Sequence, residues 1–328
     1  MDFYIKADME VSSFPIDHKK RVLYLGSCFA ENMGRKMSTY KFQSAVNPLG
    51  IVYNPGSLQV LSDRISHRKL IKENELQSCQ DYECHLDFHS KFNRTSRAQT
   101  VQVINQAIEE SHAFANEGLN YVILTLGTAY AYHHKSEDRI INNCHKLPAS
   151  QFERKLLEPS FIIESLEKTV HSFAERQNDL RFIITVSPVR HLRDGWVQNS
   201  RSKAHLLTAA HHLADSDPRI DYFPAYEIMM DELRDYRFYG KDLIHPSEEA
   251  VDYIWDRFRK SYFSDSTNEL IQKIDQVQRD LKHRPFLKEA QSYQKFLATV
   301  HSKILALKEA HPDIDFENED QSITSLRS

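Results

Sequence analysis

The sequence predicts an α/β protein. One mainly parallel, five-stranded sheet lies between helices as a three-layer α/β/α sandwich, followed by a C-terminal helical extension. Three observations lead there. Short apolar runs recur along the chain, closed by glycine, serine or proline, and they alternate with segments whose apolar residues have helical spacing. Eight glycines in 328 residues are too few for a loop-rich all-β fold. From about residue 265 the strand signals stop and amphipathic helices remain.

Residues 1–20 are a polar lead-in. Val22-Leu23-Tyr24-Leu25 is a short apolar run with a β-branched start, the mark of a buried strand. Gly26 breaks it, and Ser27 caps a helix on which Phe29, Met33, Met37 and Tyr40 share one face. Residues 42–46 form a weaker second strand, which runs into the turn Asn47-Pro-Leu-Gly50. Asn54-Pro55-Gly56 reads as a further turn. A helix over residues 57–66 carries Leu58, Leu61 and Ile65 on one face. Residues 68–98 are polar and irregular, apart from an alternation at Tyr82, Cys84, Leu86 and Phe88 that marks a short strand or hairpin arm. A helix is expected over residues 100–115.

Tyr121-Val-Ile-Leu-Thr-Leu126 is the clearest strand and ends in Gly127-Thr128. A hairpin follows, residues 131–134 with 140–141. Then come a helix over 160–176, a strand over 181–187 closed by Pro188, a helix over 199–214 and a strand over 220–223. Asp242-Leu-Ile-His245 precedes a helix with Ser247 as N-cap, Glu248 and Glu249 at its positive end, and Ala250, Val251, Ile254, Trp255 and Phe258 as its apolar face. Beyond it, helices over 269–282 and 289–311 are separated at Pro285, and the acidic residues 312–328 are expected to fray. The expected division is an α/β domain over 1–264, with insertions near 51–118 and 130–158, and a helical tail over 265–328 that packs on it.

Composition narrows the function classes. A formal net charge of -4 offers nothing to nucleic acid or an anionic membrane surface, and no apolar run approaches the roughly 20 residues of a membrane span. The N-terminus lacks a basic stretch followed by an apolar one, so no signal peptide is expected. Four cysteines (Cys28, Cys79, Cys84, Cys144) are not a disulfide framework in a chain of this length, which predicts a reducing, cytoplasmic setting. Cys79, Cys84, His85 and His89 do not have a standard zinc spacing, and the stretch from Gly26 to Gly34 lacks the lysine and glycine spacing of a phosphate loop. No metal and no cofactor are expected. The expected partner is a small molecule; nothing in the sequence sets the oligomeric state.

Chemistry is expected at the carboxyl ends of the strands, where open α/β sheets bind ligands. Ser27 and Cys28 stand at the first such end, ahead of a helix whose free N–H groups can meet a developing negative charge. Gly127-Thr128 stands at a second, and Ser187-Pro188, with Arg190 and His191 just beyond, at a third. Asp242 and His245, three residues apart in a loop, can pair so that the carboxylate fixes the imidazole tautomer. Arg190 is a candidate for an anionic substrate group or a plain ion pair. His133, His134, His145 and His191 follow strand ends and could line a pocket, or serve as hydrogen-bonded structural residues.

The string Gly26-Ser-Cys-Phe-Ala30 resembles the signature that names the GSCFA family, a group within the SGNH (GDSL-like) hydrolase superfamily. The resemblance continues at Asn47-Pro-Leu-Gly50, Asp87-Phe-His-Ser90, Leu126-Gly-Thr-Ala129, Asn143-Cys-His-Lys146, Ser187-Pro-Val-Arg-His191, Ser202-Lys-Ala204, Asp242-Leu-Ile-His-Pro-Ser247 and His283-Arg-Pro-Phe286. It covers nearly the whole chain. It implies a flavodoxin-like sandwich and an acyl hydrolase or acyltransferase acting on an ester, thioester or acylated sugar. In that reading His245 is the general base, Asp242 orients it, and the Gly50 N–H helps bind the oxyanion.

Two departures from the superfamily pattern matter. Its first block reads Gly-Asp-Ser; an ungapped match puts Ser27 on the aspartate and Cys28 on the nucleophile, whereas a shift of one residue makes Ser27 the nucleophile. A cysteine at a helix N-terminus beside a histidine is expected to have a lowered pKa. The third block, Gly127-Thr128-Ala129, lacks the oxyanion asparagine, which leaves Thr128, Asn47 or Asn54 as replacements. The alternative reading is a non-catalytic binding protein for an acyl or carbohydrate ligand on the same fold.

Overall fold

The computed structural model describes residues 5–175, 177, 179–287 and 290–327. The first strand, β1 (Arg21–Gly26), leads into α1 (Cys28–Thr39), then β2 (Gln43–Val46) and α2 (Pro55–Ser66). A small hairpin follows, β3 (Gln77–Cys79) and β4 (Tyr82–Cys84), and then α3 (Arg97–Asn116) and β5 (Leu119–Leu126). Next are β6 (Tyr130–His134), β7 (Arg139–Ile141), β8 (Phe152–Leu156) and α4 (Pro159–Ala174). The α/β part finishes with β9 (Arg181–Val186), α5 (Trp196–Ser216), β10 (Ile220–Tyr222), the single turn α6 (Ala225–Glu227) and α7 (Glu248–Tyr262). Three helices close the chain: α8 (Asp265–Lys282), α9 (Gln291–Ala310) and α10 (Glu317–Arg327).

The central sheet has the order β10-β9-β5-β1-β2, and the pairs β1–β5, β5–β9 and β9–β10 are parallel. Numbered by appearance within this sheet, that is the doubly wound order 2-1-3-4-5, with its switch point between β1 and β5. The sequence's α/β expectation and its five strands therefore hold. The strands are short apolar runs because both faces are covered: Val22, Leu23, Tyr24 and Leu25 are all buried, as are Val122, Leu124 and Leu126. Burying one such side chain contributes roughly 1.5–3 kcal/mol. Register brings the strand ends level, with Gly26 opposite Thr125 and Leu126 opposite Val186.

Several elements differ from expectation. Asn54-Pro55-Gly56 is a helix start rather than a turn. The Asn54 side chain accepts the Ser57 N–H at 2.9 Å, and Pro55, having no N–H to satisfy, fits the first turn. The predicted hairpin of residues 131–141 gains a third strand, β8, in an antiparallel sheet ordered β7-β6-β8. The arm expected around Tyr82 is only the small hairpin β3–β4. Residues beyond 312 form α10 instead of fraying, because Phe316 and Ile323 find a core. The predicted helix ends at Arg176 and Glu289 lie outside the described residues.

Two compact units divide the chain. One comprises the residues up to Asp8, Arg21–Arg35 and Ser44–Arg257, and it contains the central sheet. The other comprises Met9–Lys20, Lys36–Gln43 and the residues from Phe258 onward. Within the second unit, α8, α9 and α10 pack around Ile274, Leu297, Val300, Ile304 and Ile323, and Lys41 pairs with the nearly buried Glu319 at 2.8 Å. Among the described residues no helix is long and apolar enough to cross a membrane.

Candidate active site

The turn after β1 needs its glycine. Gly26 has φ +139°, and a Cβ there would lie 2.1 Å from the Thr125 carbonyl oxygen. That close approach lets the Ser27 N–H reach Thr125 O at 3.0 Å and carries the chain over the end of β5. Ser27 is 0% exposed; its Oγ accepts the Phe29 N–H at 3.3 Å, and its carbonyl accepts the Ala30 N–H at 2.9 Å. Ser27 is thus the cap of α1. Cys28, the first residue of the helix, is only partly buried.

The Cys28 thiol departs from expectation. Its pKa is raised, chiefly by burial and then by the Glu31 carboxylate. The backbone N–H groups of Cys28 and Phe29 and the Lys203 ammonium oppose that rise without reversing it. Desolvation outweighs the helix dipole here, so the resting group is a thiol. Among the described residues no hydrogen bond joins Cys28 Sγ to His245.

Lys203 stands in the sequence only as part of the Ser202-Lys-Ala204 motif, with no role assigned to it. It is 1% exposed, and its Nζ donates to Gly127 O at 2.8 Å and Ser187 O at 2.6 Å, tying the loop after β5 to the loop after β9. Burial lowers its pKa to about 7, and Cys28 pulls in the other direction. Neighbouring positions on α5 do related work. Ser202 Oγ accepts the Ala129 N–H at 2.7 Å and contacts Thr128 Oγ1 at 3.0 Å, and Asn199 Oδ1 accepts the His191 N–H at 2.9 Å. The signal was a lysine on the apolar face of a helix, three and seven residues before the buried Leu206 and Ala210.

The expected oxyanion donors are mostly committed elsewhere. The Gly50 N–H closes a turn onto Asn47 O at 2.8 Å, so it does not present the donor expected of it. The Gly127 and Thr128 N–H groups both go to Tyr53 O, at 3.0 and 2.9 Å, and the Thr128 hydroxyl is held against Ser202. Asn54 is spent on Ser57. Asn47 differs: it is 1% exposed, its Oδ1 accepts the Gly26 N–H at 2.9 Å, and its Nδ2 has no partner.

Asp242 and His245 come together as the spacing predicts. His245 Nδ1 lies 2.6 Å from Asp242 Oδ2, while Asp242 Oδ1 accepts the N–H groups of Ile244 and His245, each at 3.0 Å. These three donors, the Ile244 N–H foremost, lower the Asp242 pKa to about 2. A carboxylate acceptor requires the proton on Nδ1, which leaves Nε2 as the basic nitrogen. The His245 side chain is 50% exposed. Its loop is tied to the strand-end loop after β9, where the Arg190 N–H reaches Ile244 O at 3.3 Å.

Arg190 forms no ion pair among the described residues. Its guanidinium sits over the rings of Tyr239, Tyr236 and Trp196, at 4.2, 5.3 and 5.5 Å. His191 is mostly buried, edge-on to Tyr53, and its Nε2 has no partner. Burial, then Lys203, Arg154 and His245, lower its pKa to about 3, so it is neutral at pH 7. His191, Tyr53 and Thr128 also line a cavity of about 800 Å³ in the same unit. Cys79 and Cys84 lie with their sulfurs 3.6 Å apart in the β3–β4 hairpin, and among the described residues no group of three or more His, Cys, Asp or Glu side chains could hold a metal.

The model of the GSCFA family matches residues 21–258, and the model of the GSCFA domain protein C-terminal domain matches residues 274–326. No curated protein matches the chain. Among solved structures, a Bacteroides fragilis protein described as a "putative acylhydrolase" aligns over 79% of this chain and 91% of its own, with 10% identity and a TM-score of 0.37. With one family model spanning the sheet and its strand-end loops and a second spanning the final helices, this chain belongs to the GSCFA family.

Proposed function

We propose that this protein is an SGNH-like acyl hydrolase or acyltransferase with Cys28 as its nucleophile. The observation that carries the proposal is the contrast within the first turn: Ser27 is fully buried and spent as a helix cap, while Cys28 is partly exposed at the helix start beside the β1–β5 switch point. His245, with Asp242 behind it, is the base. His245 Nε2 takes the Sγ proton as sulfur bonds to the acyl carbon. The tetrahedral intermediate then expels the alcohol or thiol, which takes the proton back from His245. Water, or an acceptor hydroxyl in the transfer case, attacks the thioester; its proton goes to His245, which passes it to the sulfur as the C–S bond breaks, restoring the thiol. The Cys28 N–H and Asn47 Nδ2 are the donors assigned to the oxyanion. A raised thiol pKa fits proton removal during attack rather than a standing thiolate.

A binding protein without turnover is the second reading. It is favoured by the commitment of Gly50, Gly127 and Thr128 to other acceptors. Brief incubation with p-nitrophenyl acetate, acid quenching and intact-mass measurement separates the two. One acetyl adduct, absent in Cys28→Ala, kept in Ser27→Ala and slowed in His245→Ala, is the expected result. No adduct, or one indifferent to His245, would overturn catalysis and leave binding.

A further inference from the structure

The cavity beside this turn has a character of its own. Its charged lining residues are Lys146, Arg154 and Arg193, and among the described residues no aspartate or glutamate lines it, although the chain as a whole has a formal net charge of -4. The three cations differ in what holds them. Arg154 is satisfied: its guanidinium grips Asp194 with two bonds of 2.5 Å. Arg193, next to that aspartate, lies over the Tyr132 ring at 5.3 Å and has no carboxylate partner among the described residues. Lys146 likewise has none. At about 800 Å³ the cavity is sized for a small organic molecule, not a single ion.

The wall that presents Lys146 is built, not incidental. His145 and Lys146 are successive non-glycine residues with φ of 48° and 64°, a conformation that side chains disfavour and that the surroundings must impose. Buried contacts do so. His145 Nε2 meets His85 O at 3.0 Å, the Asn142 and Asn143 N–H groups both reach Leu86 O, and the Asn142 side-chain amide reaches Ile51 O at 3.1 Å. The motif Asn143-Cys-His-Lys146, which the catalytic reading leaves unused, is this wall. The positive field reaches inward as well: both arginines hold the Cys144 thiol below the level that burial alone would set, and Arg154 acts on His191.

We infer that this cavity holds the anionic part of the substrate, a phosphate or carboxylate group received by Arg193 and Lys146, so that the enzyme acts on acidic acyl esters rather than neutral lipids. The inference rests on the acyl-transfer reading for its word substrate, but the binding site stands apart from turnover. Tyr53 joins the two: it lines the cavity, and its pKa is raised first by burial and then by Cys28.

Titration calorimetry with glucose 6-phosphate, inorganic phosphate, succinate and glucose tests this on the full chain. Binding of glucose 6-phosphate or succinate, with glucose inert, is expected; which of the two binds tells phosphate from carboxylate. Arg193→Gln and Lys146→Gln should each weaken it about tenfold, as a charge-assisted hydrogen bond is lost. Circular dichroism confirms that these exposed-site variants are folded. Cys28→Ala and His245→Ala should bind as wild type does, so failure of catalysis and failure of this site remain distinguishable. Glucose binding as well as the anions, no binding by either organic anion, or binding indifferent to both substitutions would overturn the inference.

Discussion

The two halves of the proposed catalytic pair are held in opposite ways. The Ser27–Cys28 turn is fixed from within, by a glycine pressed on Thr125, a fully buried serine cap and a buried lysine amine spanning two strand ends. The Asp242–His245 loop lies at the surface and is fixed by its own hydrogen bonds, three of them to one carboxylate. Substitutions on the first side should therefore be felt as stability, and those on the second as chemistry.

Lys203→Met should have the largest effect on stability. It leaves the Gly127 and Ser187 carbonyls without a donor, at roughly 1–3 kcal/mol each. The effect depends on pH. Lys203 has a folded pKa of about 7, below that of an unfolded lysine, so the unfolded chain binds a proton that the folded chain does not in the window above 7. Wild-type stability should climb with pH through that window and the variant's should not. Urea midpoints at about pH 6 and pH 9 check this; a difference between the two proteins that stays constant with pH would break the account.

Ser27→Ala comes next, at about 1 kcal/mol for a lost cap, with the acetyl adduct retained. Cys28→Ala should change the urea midpoint less and abolish the adduct. A reversal of the two phenotypes would move the nucleophile to Ser27.

Asp242→Asn should barely alter stability, because an exposed ion pair contributes about 0–1 kcal/mol. The stability Asp242 does lend is present above the ordinary carboxylate pKa and is lost as pH falls toward about 2. Its effect on turnover should be about 10²–10⁴-fold, second to that of Cys28→Ala, through loss of the Nδ1–H tautomer. Initial rates of ester cleavage at pH 7 measure it, and a loss below tenfold would reduce Asp242 to a loop fastener.

What the sequence made legible follows the same divide. Runs buried on both faces, such as Val22 to Leu25 and Tyr121 to Leu126, announce themselves because every side chain is apolar. The Asp242–His245 pair is legible because it is local. Contacts between distant segments were not. Lys203 looks like a surface lysine until α5 is placed against the strand ends, and the donors of Gly50, Gly127 and Thr128 look free until Asn47 and Tyr53 take them. β8 was missed because Phe-Glu-Arg-Lys-Leu buries one face only lightly, and its partner strand β6 supplies the reason it is extended.

The amine of Lys203 and the thiol of Cys28 influence each other's protonation, and such influence is reciprocal. A negative sulfur draws a proton onto the nitrogen, and a positive nitrogen eases a proton off the sulfur. Because the resting Cys28 is a thiol, it lends Lys203 no charge until its proton is drawn off during attack; the charge that then forms on sulfur favours the protonated amine, and acylation removes that charge again. The protonation of a residue deep in the fold is thus tied to the nucleophile only while the sulfur is charged.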